Sequence, residues 1–260
     1  PSTNLAGKIA FPVLNPKTSR YDVHVVMADG SNRWIAVADA HQPDFRPDGR
    51  LVVNGEGGDR DNIWAMNADG SNALAVSRHP EDSHPRWSPD GGRIAFDSLL
   101  SGDKSAERLY VHDDTSGKSE PRPLLYVTYE LRGRVLLWLS DWRIVFNGCD
   151  YWAGGGNCGM YAVSDRGGLP TRLTDSPSDG SADAHGNQIV FMSTREGNWD
   201  VYAMDANGAG LRNLTNSPAN DGLPTFSPDG SHVAFVSDRS GEWAIWVMAS
   251  DGSAPRLLTP

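Results

Sequence analysis

Residues 85–91 read Pro-Arg-Trp-Ser-Pro-Asp-Gly, and residues 93–98 continue as Arg-Ile-Ala-Phe-Asp-Ser. The unit combines a short apolar segment, an Asp-Gly turn and a β-branched, aromatic run. It recurs about every 42 to 50 residues along the whole chain. Repetition at this period is typical of architectures in which each unit buries its apolar faces against its neighbours.

Four kinds of strand can be read from the repeat. The clearest, strand b, is predicted at residues 8–13, 50–55, 93–98, 143–148, 188–193 and 232–237. Strand c follows at residues 23–28, 63–68, 109–114, 159–164, 201–206 and 245–250. Strand d follows at residues 33–37, 74–77, 123–127, 171–174, 211–215 and 256–259. The inner strand a precedes strand b at residues 43–47, 85–89, 135–140, 181–184 and 224–228.

Six copies of strands b, c and d with five of strand a predict an all-β fold, a six-bladed β-propeller with four-stranded antiparallel blades. Residues 1–260 are expected to form this single domain, with the ring closed across the chain termini. Residues 2–5 are expected to supply the missing inner strand. An open solenoid or a sandwich is the alternative, but the regular turns and the Pro-containing inner strand favour the propeller.

Three segments carry a family resemblance: Ser88–Phe96, Ser227–Arg239 and Met66–Asn72. They resemble the TolB-type, WD-like repeat, and the likeness extends over essentially the whole chain. It is weakest in the third and fourth units, where residues 138–142 and 184–187 depart from Ser-Pro-Asp-Gly. The resemblance implies an interaction module of the cell envelope or extracellular space, a kind of domain that is sometimes the sensor part of a larger chain and sometimes a gating domain beside a serine peptidase.

Charge and cysteine content limit the partners and the compartment. A formal net charge of −10 would repel a polyphosphate backbone, so we expect no nucleic-acid partner and favour cationic ones. No apolar run is long enough to span a membrane, and the start at Pro1 without Met suggests a trimmed chain. Cys149 and Cys158 flank a loop between two predicted strands, a spacing that favours a disulfide and a periplasmic or extracellular location, although two free thiols are the alternative.

The b–c loops and the d-to-a loops are expected on one face of the disc. That face gathers aromatic residues suited to protein, peptide or glycan recognition. The candidates for partner binding are Tyr151, Trp152, Trp199, Trp243, His84 and His41, with Tyr21 nearby. The alternative is that Trp199 and Trp243 only pack over neighbouring blades.

Acidic residues recur about three positions before the predicted strand a. Asp82, Asp179 and Asp221 fit this pattern, and Glu130 and Asp39 fit it less well. Such a ring at the channel mouth could hold a divalent cation such as calcium, or a Lys or Arg of a partner. The alternative is that these carboxylates cap backbone N–H groups of the loops.

No hydrolase, metalloprotease or nucleotide-binding motif occurs in the sequence, and no catalytic residue is assigned. We therefore expect a non-enzymatic binding or scaffold module. One alternative is a metal-dependent polysaccharide lyase, for which His41, His84, Arg132 and Arg134 are the only channel-loop candidates. The other is a structural repeat in an extracellular assembly.

Overall fold

The computed structural model describes residues 7–57, 61–99, 107–113 and 120–259. These residues form six antiparallel sheets in the order of the sequence, and each sheet is one blade. Blade 1 has three described strands, β1 (Lys8–Asn15), β2 (Arg20–Met27) and β3 (Trp34–Val37). Blade 2 consists of β4 (Ala40–Phe45), β5 (Arg50–Gly55), β6 (Ile63–Asn67) and β7 (Leu74–Ala75). Blade 3 consists of β8 (Asp82–Trp87), β9 (Ile94–Ser98), β10 (Arg108–His112) and β11 (Arg122–Pro123).

A separate two-stranded hairpin follows blade 3, formed by β12 (Leu125–Tyr126) and β13 (Tyr129–Glu130). Blade 4 consists of β14 (Arg134–Trp138), β15 (Arg143–Cys149), β16 (Cys158–Ser164) and β17 (Thr171–Arg172). Blade 5 consists of β18 (Gly180–His185), β19 (Gln188–Ser193), β20 (Asp200–Asp205) and β21 (Arg212–Asn213). Blade 6 consists of β22 (Asp221–Phe226), β23 (His232–Ser237), β24 (Ala244–Ala249) and β25 (Arg256–Thr259). The all-β, six-bladed prediction is confirmed.

The core lies between blades rather than within them. Five buried apolar clusters each combine residues of two successive blades, from blades 1 and 2 through to blades 5 and 6. Phe96, Phe146, Phe191 and Phe235, one from the b strand of each of blades 3 to 6, are at most 1% exposed. Blades 2 to 5 therefore each bury both faces against their neighbours, which is why the repeat is stable only as a stack.

A repeated close approach also joins blade 6 to blade 1. A Cβ added to Gly30, in the c–d turn of blade 1, would lie 3.0 Å from the Leu258 carbonyl oxygen in the outer strand of blade 6. The corresponding glycines Gly70, Gly208 and Gly252 lie against the outer strand of the preceding blade in the same way. The c–d turn of blade 1 thus contacts the outer strand of blade 6. The inner strand predicted at residues 2–5 falls outside the described residues, and the single-domain assignment of residues 1–260 stays a prediction.

Strand a begins three residues earlier than the sequence predicts in blades 2, 3 and 6, and one residue earlier in blades 4 and 5. The reason is a β-bulge, which shifts the register within β4, β8, β18 and β22. At each bulge a non-glycine residue adopts a left-handed conformation, with φ of 53° at Gln42, 51° at His84 and 50° at Leu223. The extra residue breaks the two-residue alternation that marks a strand.

Strand d of blade 3 is also shorter than predicted. The predicted run 123–127 is divided between β11 and the hairpin β12–β13. Its turn contains Val127, which adopts a left-handed φ of 56°. Apart from these strands the described residues include a 3-10 turn at Tyr151–Ala153, and no described helix is long and apolar enough to cross a membrane.

Candidate functional site

Each blade places a residue of strand b directly opposite a residue of strand c. These pairs are Phe11/His24, Val53/Trp64, Phe96/Tyr110, Phe146/Tyr161, Phe191/Tyr202 and Phe235/Trp246. Most of the pairs are aromatic on both strands. What covers each pair differs between blades, and that difference defines the candidate site.

In blade 6 an arginine covers the pair. The Arg239 guanidinium carbon lies 5.1 Å from the ring centroids of both Phe235 and Trp246. Its Nη2 donates to Asp221 Oδ2 at 2.8 Å, and its Nε donates to the Ser237 hydroxyl at 2.9 Å. Asp221 is fully buried. This ion pair therefore fastens the b–c loop to the inner strand, and we call it an arginine latch.

Blade 5 repeats the arginine latch. Arg195 Nη2 lies 2.7 and 2.6 Å from the two carboxylate oxygens of Asp179. Its guanidinium carbon lies 5.6 Å from the Phe191 ring and 5.1 Å from the Tyr202 ring. Burial, with the nearby acidic groups, raises the pKa of Tyr202 to about 12. Two of the four acids predicted to form a channel ring are therefore already bound by arginines of their own blades.

Blade 4 lacks the latch. Gly133 stands five residues before Trp138, the distance at which Asp221 precedes Phe226. Asp150 stands four residues after Phe146, the position of the arginine in blades 5 and 6. The rings are covered instead by Trp152, which meets Tyr161 edge-on at 5.1 Å and Phe146 at 6.3 Å.

A disulfide fastens the b–c loop of blade 4. Cys149, the last residue of β15, lies directly opposite Cys158, the first residue of β16. Their Cα atoms are 4.0 Å apart, and their sulfurs are bonded. The predicted disulfide is confirmed. Inside the loop the Asp150 carboxylate accepts hydrogen bonds from the Asn157 side chain at 2.8 Å and from its backbone N–H at 2.5 Å. The Asn157 side chain, opposed by desolvation, lowers the pKa of Asp150.

The hairpin β12–β13 forms the opposite wall of the site. In blades 2, 4 and 5 a hydroxyl residue two positions after strand d accepts a backbone N–H near the start of strand c, and these residues are Ser77, Thr174 and Thr215. Leu125 occupies this position in blade 3, where the Leu109 N–H instead donates to the Leu131 carbonyl at 3.0 Å. The chain between Leu125 and Leu131 is thereby free to extend as the hairpin.

Contacts at its base anchor the hairpin. The Leu125 carbonyl accepts a hydrogen bond from the Gly168 N–H of blade 4 at 2.8 Å, and Tyr126 packs against the core between blades 3 and 4. The tip carries apolar groups into solvent, with Val127 73% and Tyr129 60% exposed. Large exposed apolar side chains on an anchored hairpin are typical of a recognition surface.

A groove with a volume of about 570 Å³ separates the hairpin from the disulfide loop. Its lining residues are Pro123, Leu125, Thr128, Tyr129, Glu130, Arg132, Tyr151 and Trp152. Tyr151 is 59% exposed, whereas Trp152 is half-buried on the core. The volume falls within the range of small-ligand sites. We call this surface the blade 3/4 groove, and it combines two aromatic walls with a mixed polar end.

The four predicted metal ligands do not share one environment. Asp82 and Asp221 are the first residues of β8 and β22 rather than loop residues, and Asp179 directly precedes β18. Glu130 is ion-paired with Arg108. Burial, opposed by hydrogen bonds from the Ser98 and Ser77 hydroxyls, raises the pKa of Asp82.

Within the described ranges, no three His, Cys, Asp or Glu side chains lie close enough together to hold a metal ion. The calcium ring stays a prediction. A calcium-dependent rise in melting temperature after chelation and re-addition would support it.

The predicted residues His41 and His84 lie on inner strands of blades 2 and 3. His41 Nδ1 lies 2.8 Å from Glu56 Oε1, and His84 Nδ1 lies 3.0 Å from Asp97 Oδ2. The Gln42 side-chain oxygen accepts the His84 backbone N–H at 2.7 Å. Burial lowers the pKa of His41, opposed by the charge of Glu56. Both imidazoles are therefore held by carboxylates beside the channel, and neither lines the blade 3/4 groove.

Trp199 and Trp243 stand before the c strands of blades 5 and 6. Trp243 is 60% exposed and Trp199 36% exposed, so neither side chain is buried by a neighbouring blade. They do not line the blade 3/4 groove. Of the predicted partner-binding residues, the structure brings Tyr151 and Trp152 together there and adds Tyr129, which sequence reasoning missed.

A second feature missed from the sequence is an aspartate in two inner strands. Asp44 Oδ2 accepts the Trp87 N–H at 2.7 Å, and Asp183 Oδ2 accepts the Phe226 N–H at 2.7 Å, so each links one blade to the next. Burial, opposed by Arg86, raises the pKa of Asp44 to about 6. These carboxylates join adjacent inner strands around the channel.

Comparison with known proteins agrees with this architecture. Residues 181–260 match the family model of the TolB beta propeller domain. The matched segment covers nearly all of blades 5 and 6. It includes the arginine latch of blade 6 and Arg195 of blade 5, but not Asp179. The resemblance read from the repeat units is confirmed for this segment, and the propeller fold is confirmed for the described chain.

Solved structures with the same fold include TolB from Acinetobacter baumannii, with a TM-score of 0.77 at 19% identity over 97% of this chain and 63% of that one. Putative TolB from Agrobacterium tumefaciens gives a TM-score of 0.69 at 21% identity, over 96% of this chain and 87% of that one. An oligogalacturonate lyase in complex with manganese gives 0.58 at 13% identity, over 96% and 73%. This chain thus spans about 63% of the Acinetobacter protein, and identities this low establish the fold alone.

Proposed function

We propose that this chain is a non-enzymatic binding module of an exported protein, and that it holds an extended segment of a partner protein in the blade 3/4 groove. The carrying observation is that two separately anchored walls, one a hairpin and one a disulfide loop, present exposed tyrosines to one groove. Both walls occur where the repeat is interrupted. Side chains that only maintain the ring would follow the repeat, whereas Tyr129, Tyr151 and Trp152 do not.

The chemistry of the groove favours an extended peptide. A segment without internal hydrogen bonds offers its carbonyl groups to the tyrosine hydroxyls and its side chains or proline rings to the aromatic faces. The net charge of −10 favours a segment with basic residues, since the field of the whole chain attracts cations. Two observations favour an exported location. One is the match to the TolB beta propeller domain, a family that supports a protein-binding module of the cell envelope, and the other is the disulfide.

The competing functions find less support. A lyase that depends on a metal needs a cluster of ligands, and the described residues provide no group of three. A structural repeat would bury a large contact between copies of the chain. That role would not explain why the groove has two aromatic walls. A glycan could also stack on tyrosines, so an oligosaccharide is the occupant that the experiment must separate from a peptide.

The test is selection of a random peptide library displayed on phage, with counter-selection on a Tyr129→Ala/Tyr151→Ala variant. Synthetic copies of the enriched peptides are then titrated calorimetrically against the wild type and the variant, with an oligosaccharide array probed in parallel. We expect micromolar binding that falls at least about 30-fold in the variant, the effect of losing about 2 kcal/mol at aromatic hot spots.

Tyr21→Ala is the matched control, because Tyr21 is an exposed tyrosine that does not line the groove. Its affinity for the peptide should equal that of the wild type. Oligosaccharide binding without peptide binding, or peptides that bind the Tyr129→Ala/Tyr151→Ala variant as tightly as the wild type, would overturn the proposal.

A further inference from the structure

The disulfide loop of blade 4 is fastened differently from the loops of blades 5 and 6. In those blades the arginine latch ties the b–c loop to a buried carboxylate, and such an ion pair is indifferent to reducing agents. In blade 4 both latch residues are replaced, and the Cys149–Cys158 bond closes the loop. These are the only two cysteines in the chain. The wall of the groove is therefore the one b–c loop with a fastening that can be opened by reduction.

Beyond the disulfide, the loop is held by the packing of Trp152 on the aromatic pair of blade 4 and by hydrogen bonds at its base. The Asp150–Asn157 hydrogen bonds close its base, and the Tyr161 hydroxyl donates to the Asn157 carbonyl at 2.6 Å. The tip is exposed and contains Gly154 and Gly156, with left-handed φ of 71° and 70°. Glycines gain much conformational freedom when a constraint is released. Opening the bridge therefore loosens the exposed part of the loop, which includes Tyr151 and the glycine-rich tip.

Both cysteine residues of the bridge are partly exposed to solvent. Cys149 and Cys158 are both half-buried rather than enclosed. They pair at the last register position of β15 and β16, so the remaining six residue pairs of this hairpin do not depend on the bond. Reduction would leave the blade formed and change only the loop beyond it.

We propose that the Cys149–Cys158 disulfide is a redox control of the blade 3/4 groove, an inference that rests on the proposed function. A protein dithiol is the reductant: its thiolate attacks one sulfur of the bridge to give a mixed disulfide and releases the other as a thiolate, which takes up a proton. The second thiol of the reductant, as a thiolate, then attacks the reductant's own sulfur in the mixed disulfide and releases the remaining cysteine of this chain, which also takes up a proton. Two electrons and two protons pass to this chain, which ends with two thiols, and the reductant ends as a disulfide. In the oxidised state the groove is preorganised for the peptide, and in the reduced state its affinity for the peptide is lower.

The experiment compares the full chain in oxidised form, after reduction by dithiothreitol, and as a Cys149→Ser/Cys158→Ser variant. The probe is a groove-binding peptide from the selection described above, and mass spectrometry after alkylation verifies the thiol state. We expect affinity to fall roughly tenfold or more on reduction and equally in the variant, with far-UV circular dichroism unchanged. Dithiothreitol should leave the affinity of the Cys149→Ser/Cys158→Ser variant unchanged.

Hydrogen exchange of residues 150–157 gives a second readout that needs no peptide. We expect exchange in this loop to accelerate on reduction, while exchange in β19 and β23 of blades 5 and 6 stays constant. Equal peptide affinity in both redox states would overturn the redox control and leave the proposed function standing. If the oxidised chain binds no peptide the proposed function fails, and unchanged exchange in the loop overturns the redox control independently.

Discussion

The arginine latch of blade 6 allows the sharpest stability prediction. Arg239→Met removes the cation that neutralises Asp221, whose side chain is fully buried, while an apolar chain of similar length stays on the Phe235 and Trp246 rings. Removing one partner of a buried ion pair costs about 3–5 kcal/mol, because an uncompensated charge stays in the interior. The Arg239 side chain is 18% exposed, so water reaches the site in part and the lower figure applies. We expect a loss of about 3 kcal/mol.

The assay is urea unfolding at pH 7, followed by circular dichroism and tryptophan fluorescence. A double variant Asp221→Asn/Arg239→Met removes both charges and should recover most of the loss, since replacing a whole buried pair is often close to neutral. Arg212→Met, at an exposed position of β21, is the matched control and should stay within about 0.5 kcal/mol of the wild type. If Arg239→Met costs less than about 1 kcal/mol, or if the double variant is no more stable than the single one, the latch does not stabilise the blade as argued.

Three further predictions follow from other contacts. Asp44→Asn should flatten the pH dependence of stability. Because the pKa of folded Asp44 is raised to about 6, the folded state holds this proton more tightly than the unfolded state, and the wild type loses up to about 3 kcal/mol of stability between pH 4 and pH 7. Urea unfolding of the wild type and the variant should therefore give free energies that diverge over this pH range. Trp152→Ala should cost about 1–3 kcal/mol and weaken peptide binding, since it uncovers the aromatic pair of blade 4; thermal unfolding without loss of stability would show that Trp152 does not cover it. Gly30→Val places a branched side chain against the Leu258 carbonyl at a φ of 86°, and a melting temperature equal to that of the wild type would contradict the contact between blades 6 and 1.

Much of the ring could be predicted from the sequence because its strands and turns use local chemistry. The Asp-Gly-Ser turns are one example, since Ser31 and Ser71 donate hydrogen bonds to Asp29 and Asp69 within a few residues. The disulfide was predictable because its cysteines flank a loop between two adjacent strands. The start of strand a was not predictable, because the left-handed residue at each bulge, such as His84, interrupts the alternation of apolar and polar positions.

The groove was only partly predictable. Tyr151 and Trp152 departed visibly from the repeat, but Tyr129 lay just beyond a run that resembled strand d. A signal was present at Leu125, which stands where other blades have a hydroxyl residue that holds strand c. The effect of this leucine depends on a hydrogen bond between strands c and d, and a single repeat of the sequence does not reveal that bond. The ion pairs of Asp179 and Asp221 were missed for the same reason, since each arginine follows its carboxylate by 16 or 18 residues.

The most direct test of the central claim is a hydrogen-exchange footprint of the full oxidised chain with a selected peptide bound. If the partner site is the blade 3/4 groove, the peptide should slow exchange in residues 125–132 and 149–158 and leave the other b–c loops unchanged. Protection confined to the inner strands of blades 2 and 3, around His41 and His84, or to the loops that carry Trp199 and Trp243, would contradict it.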